Sequence, residues 1–155
     1  MFLKSQEREA IKMKKIILMG ETGSGKTTLT QCLHDKEQVY HKTQQIYQFD
    51  HVIDTPGEFM ENRFFYNALV SAAVDAEVVG LIQSVEHEQN YFPPTFSSRF
   101  NLPVVGIVTK TELAHDKKDL ERSKIFLEQA GARQIFMISA KTGEGMADLL
   151  TYLEA

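Results

Sequence analysis

The chain has 155 residues, 43% of them hydrophobic and 25% charged, with a formal net charge of −4. That length suits one domain able to bury roughly two thirds of its unfolded surface, and the acidic balance gives no general attraction to nucleic acid or anionic membrane. No apolar run approaches the ~20 residues of a membrane helix and no signal-peptide pattern opens the chain, while a single cysteine, Cys32, excludes an intramolecular disulfide and suits a reducing cytosol.

Residues 1–12, MFLKSQEREAIK, carry mixed charge and little apolar periodicity. They read as a frayed or disordered N-terminal extension, or as a short docking helix through Phe2, Leu3 and Ile11, with the domain proper expected over 13–155. KIILM (15–19), closed by Gly20, predicts a buried strand. GETGSG follows as a loop, and KTTLTQCLH opens a helix with Leu29, Cys32 and Leu33 on one face, where Cys32 packs as a small hydrophobe. IYQF and HVID (46–54) predict two short strands joined near Asp50. ENRFFYNALVSAAVDA (61–76) sets Phe65, Leu69, Ala72 and Ala73 at helical spacing, so FFY (64–66) is assigned to core packing rather than base stacking.

EVVGLIQ (77–83) and PVVGIVT (103–109) predict further strands, separated by a polar, Pro-containing stretch, 84–101, with room for only a short helix. DKKDLERSKIFLEQAG (116–131) is an amphipathic helix ended by Gly131. QIFMIS (134–139) is the last strand and GMADLLTYLE the last helix. Strands alternating with helices predict an α/β fold with a mostly parallel, doubly wound sheet.

GETGSGKT (20–27) fits G-x-x-x-x-G-K-[ST], placed after a strand and at the start of a helix as that motif requires. Gly20, Gly23 and Gly25 let the backbone curl, so that the N–H groups from Glu21, Thr22 and Ser24 onward to Thr28 line a nest for phosphate oxygens. The helix N-terminus adds its positive dipole end. Lys26 is expected to reach the β- and γ-phosphates of a nucleoside triphosphate, with the Thr27 hydroxyl on Mg²⁺. DTPG (54–57), at a strand end, offers Asp54 to the same ion and the Gly57 N–H to the γ-phosphate. Thr43, in the loop between the motifs, is the candidate for touching both Mg²⁺ and the γ-phosphate.

In order and spacing GETGSGKT, DTPG, TKTE (109–112) and SAK (139–141) resemble the motifs of the Ras-like, TrmE–Era-type small GTPases. KTQQ followed by IDTPGEFMENRFFYNAL is similar, more closely, to the EutP/PduV family, over about residues 13–155. That resemblance implies a three-layer Ras-like fold and a cytoplasmic role tied to bacterial microcompartments that break down ethanolamine or propanediol.

The sequence departs from a working GTPase in several places. Thr43 and Asp54 are only eleven residues apart, too close for an effector hairpin of the usual length. Glu58 follows DTPG where Ras-type enzymes carry a water-positioning Gln. A carboxylate there can orient an acceptor but faces repulsion from the γ-phosphate, so slow turnover is expected without a partner. Gly23 stands where potassium-activated relatives carry Asn, and Arg63 reads as a helix-surface arginine. The five histidines are scattered away from metal-ligand spacing. His41 and His87 flank the expected nucleotide site and read as solvated loop residues.

TKTE occupies the position of the guanine-reading loop. Glu112 keeps the carboxylate that accepts from guanine N1–H and N2, at ~1.5–3 kcal/mol per charge-assisted bond. Thr109, in place of Asn, is expected to give up a bracing amide, and the Lys110 stem to lie along the base plane. In SAK, Ser139, Ala140 and Lys141 close the pocket, with the Ala140 N–H facing guanine O6. These features lean toward GTP and leave ATP open. Three functions are compatible with the residues: a slow Mg²⁺-dependent GTPase-like switch, an ATP-dependent phosphotransferase acting on a small carboxylate such as acetate, and an interaction module on microcompartment shell proteins. An activating protein is a candidate partner for the first.

Overall fold

A computed structural model describes residues 13–41 and 51–155, the stretch 36–41 by backbone alone. Residues 1–12, Thr43 and the strand expected at 46–49 lie outside the described residues.

Among the described residues five strands form one sheet: β1 (Ile16–Met19), β2 (Val52–Asp54), β3 (Val78–Ser84), β4 (Val104–Thr109) and β5 (Gln134–Met137). Their order is β2-β1-β3-β4-β5 and every pairing is parallel, with Ile17 beside both Ile53 and Val79. The near-continuous apolar runs of β1, β3 and β4 follow from this, because a parallel sheet is covered on both faces. Helices α1 (Lys26–His41) and α5 (Met146–Glu154) cover one face, packing Leu29, Leu33, Leu149 and Leu153 against Ile16, Leu18, Ile82 and Ile107. The other face carries α2 (Glu58–Glu61), α3 (Tyr66–Ala72) and α4 (Lys117–Gln129), whose Met60, Leu69 and Leu127 meet Ile17, Val79, Leu81 and Val108. Cys32 is half-buried against the first of these layers, as its spacing predicts. The expected α/β architecture holds.

The helix expected over 61–76 is not continuous. It begins earlier, at Glu58, and breaks at Asn62, whose extended backbone (φ −137°, ψ 117°) and side chain cap the following turn by accepting from the Phe64 N–H at 3.0 Å. Asn competes for backbone hydrogen bonds and so favours a cap over a helix interior. The break turns Phe64 outward (91% exposed) and leaves Phe65 stacked on Phe59 at 4.6 Å, while Tyr66 alone of FFY is buried. The core assignment therefore holds for Tyr66 and fails for Phe64. The stretch 84–101 contains, as expected, one short helical turn, Phe96–Arg99. It is less solvated than its composition implies: Phe92, Phe96 and Phe100 are buried, with Phe96 against Tyr66 at 5.3 Å and Phe100 at 5.5 Å.

Helix α4 comes down onto β4 at Gly106, where an added Cβ would meet Leu127 Cβ at 3.0 Å and Ile135 Cδ1 at 2.6 Å. Gly106→Ala is expected to overpack this layer and lower stability by about 1–3 kcal/mol. The measurement is a reduced urea midpoint at unchanged m.

Candidate functional site

The C-terminal ends of β1 and β3 lie where the strand order reverses, the crevice at which open α/β sheets hold their ligands. The loop leaving β1 there has positive φ at Gly23 (81°) and Gly25 (97°), both left-handed conformations that glycine adopts without a Cβ penalty. The Glu21 carbonyl accepts from Ser24 N–H at 3.1 Å, and the Gly25 carbonyl accepts from Leu29 N–H at 2.9 Å to start α1. Lys26 folds back along the loop, its Nζ donating to the Glu21 carbonyl at 3.2 Å with the residue only 6% exposed. Burial lowers its ammonium pKa, against the opposing pull of Asp54, Glu21 and Glu61. A cation held so poorly solvated gains more from an arriving anion than an exposed one would.

The DTPG loop lies directly on this one. Thr55 Oγ1 donates to the Leu18 carbonyl at 2.7 Å. A Cβ on Gly57 would overlap the backbone of Thr22, so only glycine permits the approach. Thr27 Oγ1 donates to Asp54 Oδ2 at 3.5 Å, which brings together two of the three residues expected to meet Mg²⁺. A hydroxyl and a carboxylate are hard oxygen donors that fit Mg²⁺, an ion that completes its shell with water and phosphate oxygens. Among the described residues no group of three or more His, Cys, Asp and Glu side chains is placed to hold a metal by itself. Glu58 is exposed on the first turn of α2; it is Glu61, one turn on, that reaches the loop and accepts from Thr22 Oγ1 at 3.3 Å.

On the other side of the loop, β4 ends at Thr109, which is buried and whose hydroxyl donates to the Ser24 carbonyl. Thr109 therefore keeps the brace that its replacement of Asn was expected to forfeit. Lys110, in the left-handed region (φ 58°), sends its Nζ to the Gly23 carbonyl at 3.0 Å and stands 3.5 Å from Glu86. The Glu112 carboxylate is oriented by Ser139, whose Oγ donates to Oε1 at 2.7 Å. Gly25, Thr28, Thr109, Lys110, Glu112, Ala140 and Lys141 line one cavity of about 310 Å³, at the small end of ligand-pocket sizes. Residues distant in sequence thus converge as the motif order implies.

His87 does not behave as a solvated loop residue. Its Nδ1–H donates to the carboxylate of Glu21, which is 1% exposed within the loop itself.

A parallel sheet in this order, with a GxxxxGKT loop leaving β1 and a docked DTPG loop, is a Ras-like P-loop fold. Comparison with known proteins then narrows the class. The chain belongs to the PduV-EutP family, described as ethanolamine utilisation - propanediol utilisation, whose family model matches residues 13–155. It is 38% identical over 143 residues to the propanediol utilization protein PduV of Citrobacter freundii, covering 92% of this chain and 95% of the relative. It is 27% identical over 146 residues to a protein of Salmonella typhimurium named probable acetate kinase EutP, covering 92% and 91%. A protein of the same name from Escherichia coli is 25% identical over 143 residues, covering 91% and 89%. No helix among the described residues is long and apolar enough to cross a membrane.

Proposed function

We propose that this chain is a nucleoside-triphosphate-binding switch of ethanolamine or propanediol utilisation, selective for GTP, dependent on Mg²⁺ and slow to hydrolyse. The observation that carries this reading is the Ser139-held Glu112 carboxylate beside a cavity whose other wall is the P-loop itself. A fixed carboxylate attracts guanine N1–H and N2 and repels the lone pair of adenine N1. Mg²⁺, when bound between Thr27, Asp54 and the phosphates, would neutralise charge on the β- and γ-oxygens. Lys26 would hold the same oxygens from the loop, and Gly57 would present its N–H to the γ-phosphate. Glu58, exposed and anionic, is a poor water-positioning group, which supports turnover on the order of 10⁻³ s⁻¹ or less without an activator. The family context supports a cytoplasmic protein working near the enclosed enzymes of these pathways, with a shell protein or an activating protein as partner.

A second reading, ATP-dependent phosphoryl transfer to acetate, is favoured by the name that the Salmonella and Escherichia relatives carry. Titration with labelled Mg·GTP and Mg·ATP, followed by phosphate release with and without acetate, separates the two. The switch reading expects at least about tenfold tighter GTP binding and phosphate release indifferent to acetate. ADP and acetyl phosphate appearing together only when acetate is present would replace it with the kinase reading.

A further inference from the structure

Glu21 is the second residue of the P-loop, and it places a buried carboxylate in the wall of an anion cradle. Such a charge is adverse twice over: it is poorly solvated, and it repels the phosphates the cradle is shaped for. One of its oxygens is held by His87 Nδ1–H; the other, Oε2, is buried with no hydrogen-bond partner among the described residues. The His87 ring is not there by accident of a loose loop. Its backbone N–H donates to the Ser84 carbonyl at 3.1 Å, and Gln83 Nε2 donates to the His87 carbonyl at 3.2 Å. The opposite edge of the ring faces the loop: Cε1 and Nε2 lie 3.9 and 4.0 Å from the position of a Cβ on Gly23. The side chain keeps 29% of its surface open.

With Nδ1–H committed to Glu21, Nε2 carries a proton only when the ring is cationic. A neutral ring would turn a lone pair toward arriving phosphate oxygens, whereas an imidazolium would sit between two anions and satisfy both. We propose that His87 is a phosphate-contacting residue of the nucleotide site, held by Glu21 so that Nε2–H reaches the polyphosphate over Gly23, and that nucleotide binding therefore takes up a proton. The inference rests on the nucleotide-binding reading above and adds to it a ligand contact and a pH dependence.

The charges around the ring are mixed. The acidic groups are Glu21 from the P-loop and Glu86 and Glu88 from its own loop, with Glu86 facing Lys110 at 3.5 Å. The basic groups are Lys26 on the Glu21 carbonyl, Lys110 on the Gly23 carbonyl and Arg122 of α4 on the Val85 carbonyl. A bound triphosphate adds several negative charges to the first group. Binding through Nε2–H of the imidazolium makes affinity fall as pH rises, by at most about tenfold per unit.

The test is the Kd of Mg·GTP between pH 6 and 8.5 for the wild type and His87→Gln, by calorimetry in two buffers of different ionisation enthalpy. Glutamine keeps a neutral donor and cannot titrate, so it cancels the nucleotide's own γ-phosphate titration near pH 6. The wild type is expected to lose about tenfold more affinity across this range than His87→Gln, and to take up protons on binding where the variant does not. The γ-phosphate, bound fully ionised, gives the opposite sign. Glu21→Gln, which keeps an acceptor for Nδ1–H but removes the charge, is expected to move the loss of affinity to lower pH. Equal pH dependence in wild type and His87→Gln overturns the proposal while leaving GTP binding intact. A wild type that binds neither nucleotide overturns it together with the reading on which it rests. Should His87→Gln not fold, absence of proton uptake by the wild type overturns it equally.

Discussion

Replacing Lys26 by methionine is expected to weaken Mg·GTP binding at least about 100-fold while leaving the ligand-free protein as stable as its parent. The two halves of this result have one cause. The Lys26 ammonium is almost out of solvent, with the Glu21 carbonyl at 3.2 Å as its hydrogen-bond acceptor. Burial lowers its pKa from 10.5 despite three nearby carboxylates, so the folded state disfavours the charge it carries. Methionine removes that penalty and keeps most of the apolar stem. The sign in pH follows. A depressed lysine pKa means that the unfolded chain holds the proton more tightly, so the parent gains stability as pH rises through the folded pKa toward 10.5. The methionine variant lacks this gain, so its stability relative to the parent falls as pH rises toward 10.5. Thermal unfolding with and without Mg·GTP reads both effects: the parent rises in Tm with ligand and the variant does not. A ligand-free variant destabilised by more than about 2 kcal/mol would make Lys26 a structural residue first.

The sequence made the framework of this site legible because its signals are local. An apolar run, a glycine loop and a Lys-Thr pair at a helix start are each set by short-range stereochemistry, and β1, the loop and α1 stand where those rules put them. Signals that depend on a partner far along the chain were lost. Thr109 read as a missing amide, because its value lies in the Ser24 carbonyl eighty-five residues away. Likewise His87 and Glu21, sixty-six residues apart, carry no shared pattern in the sequence. Asn62 is by sequence one polar residue in a helical repeat, yet its side chain caps the turn where the helix breaks, beside the three aromatics of which Tyr66 alone is buried. Phe92, Phe96 and Phe100 do recur at a spacing of four, a helical signal obscured by the polar residues and prolines between them. Function followed the same division. The proposed phosphate chemistry rests on a motif, whereas the proposed choice of base rests on groups that only the fold brings together.

That choice of base gives the second large effect. Glu112→Ala is expected to weaken GTP binding by about 10- to 100-fold and ATP binding by less than about threefold. The carboxylate would offer guanine two charge-assisted acceptors, and Ser139 Oγ–H fixes one of them at 2.7 Å. Preorganisation matters here because Glu112 is otherwise exposed, and an exposed carboxylate gains little from a neutral base until the base itself excludes water. Ser139→Ala should therefore reproduce the loss in GTP affinity at smaller size, about 0.5–1.5 kcal/mol, without touching ATP. Competition between labelled GTP and each unlabelled nucleotide gives the six affinities of the parent and the two variants directly. A parent indifferent to the base would leave Glu112 to the loop alone. Parallel losses of GTP and ATP would mean that the Glu112–Ser139 link holds the cavity open, and selection would then have to come from the Ala140 N–H. A loss confined to GTP ties the preference to one carboxylate, and to the serine that aims it.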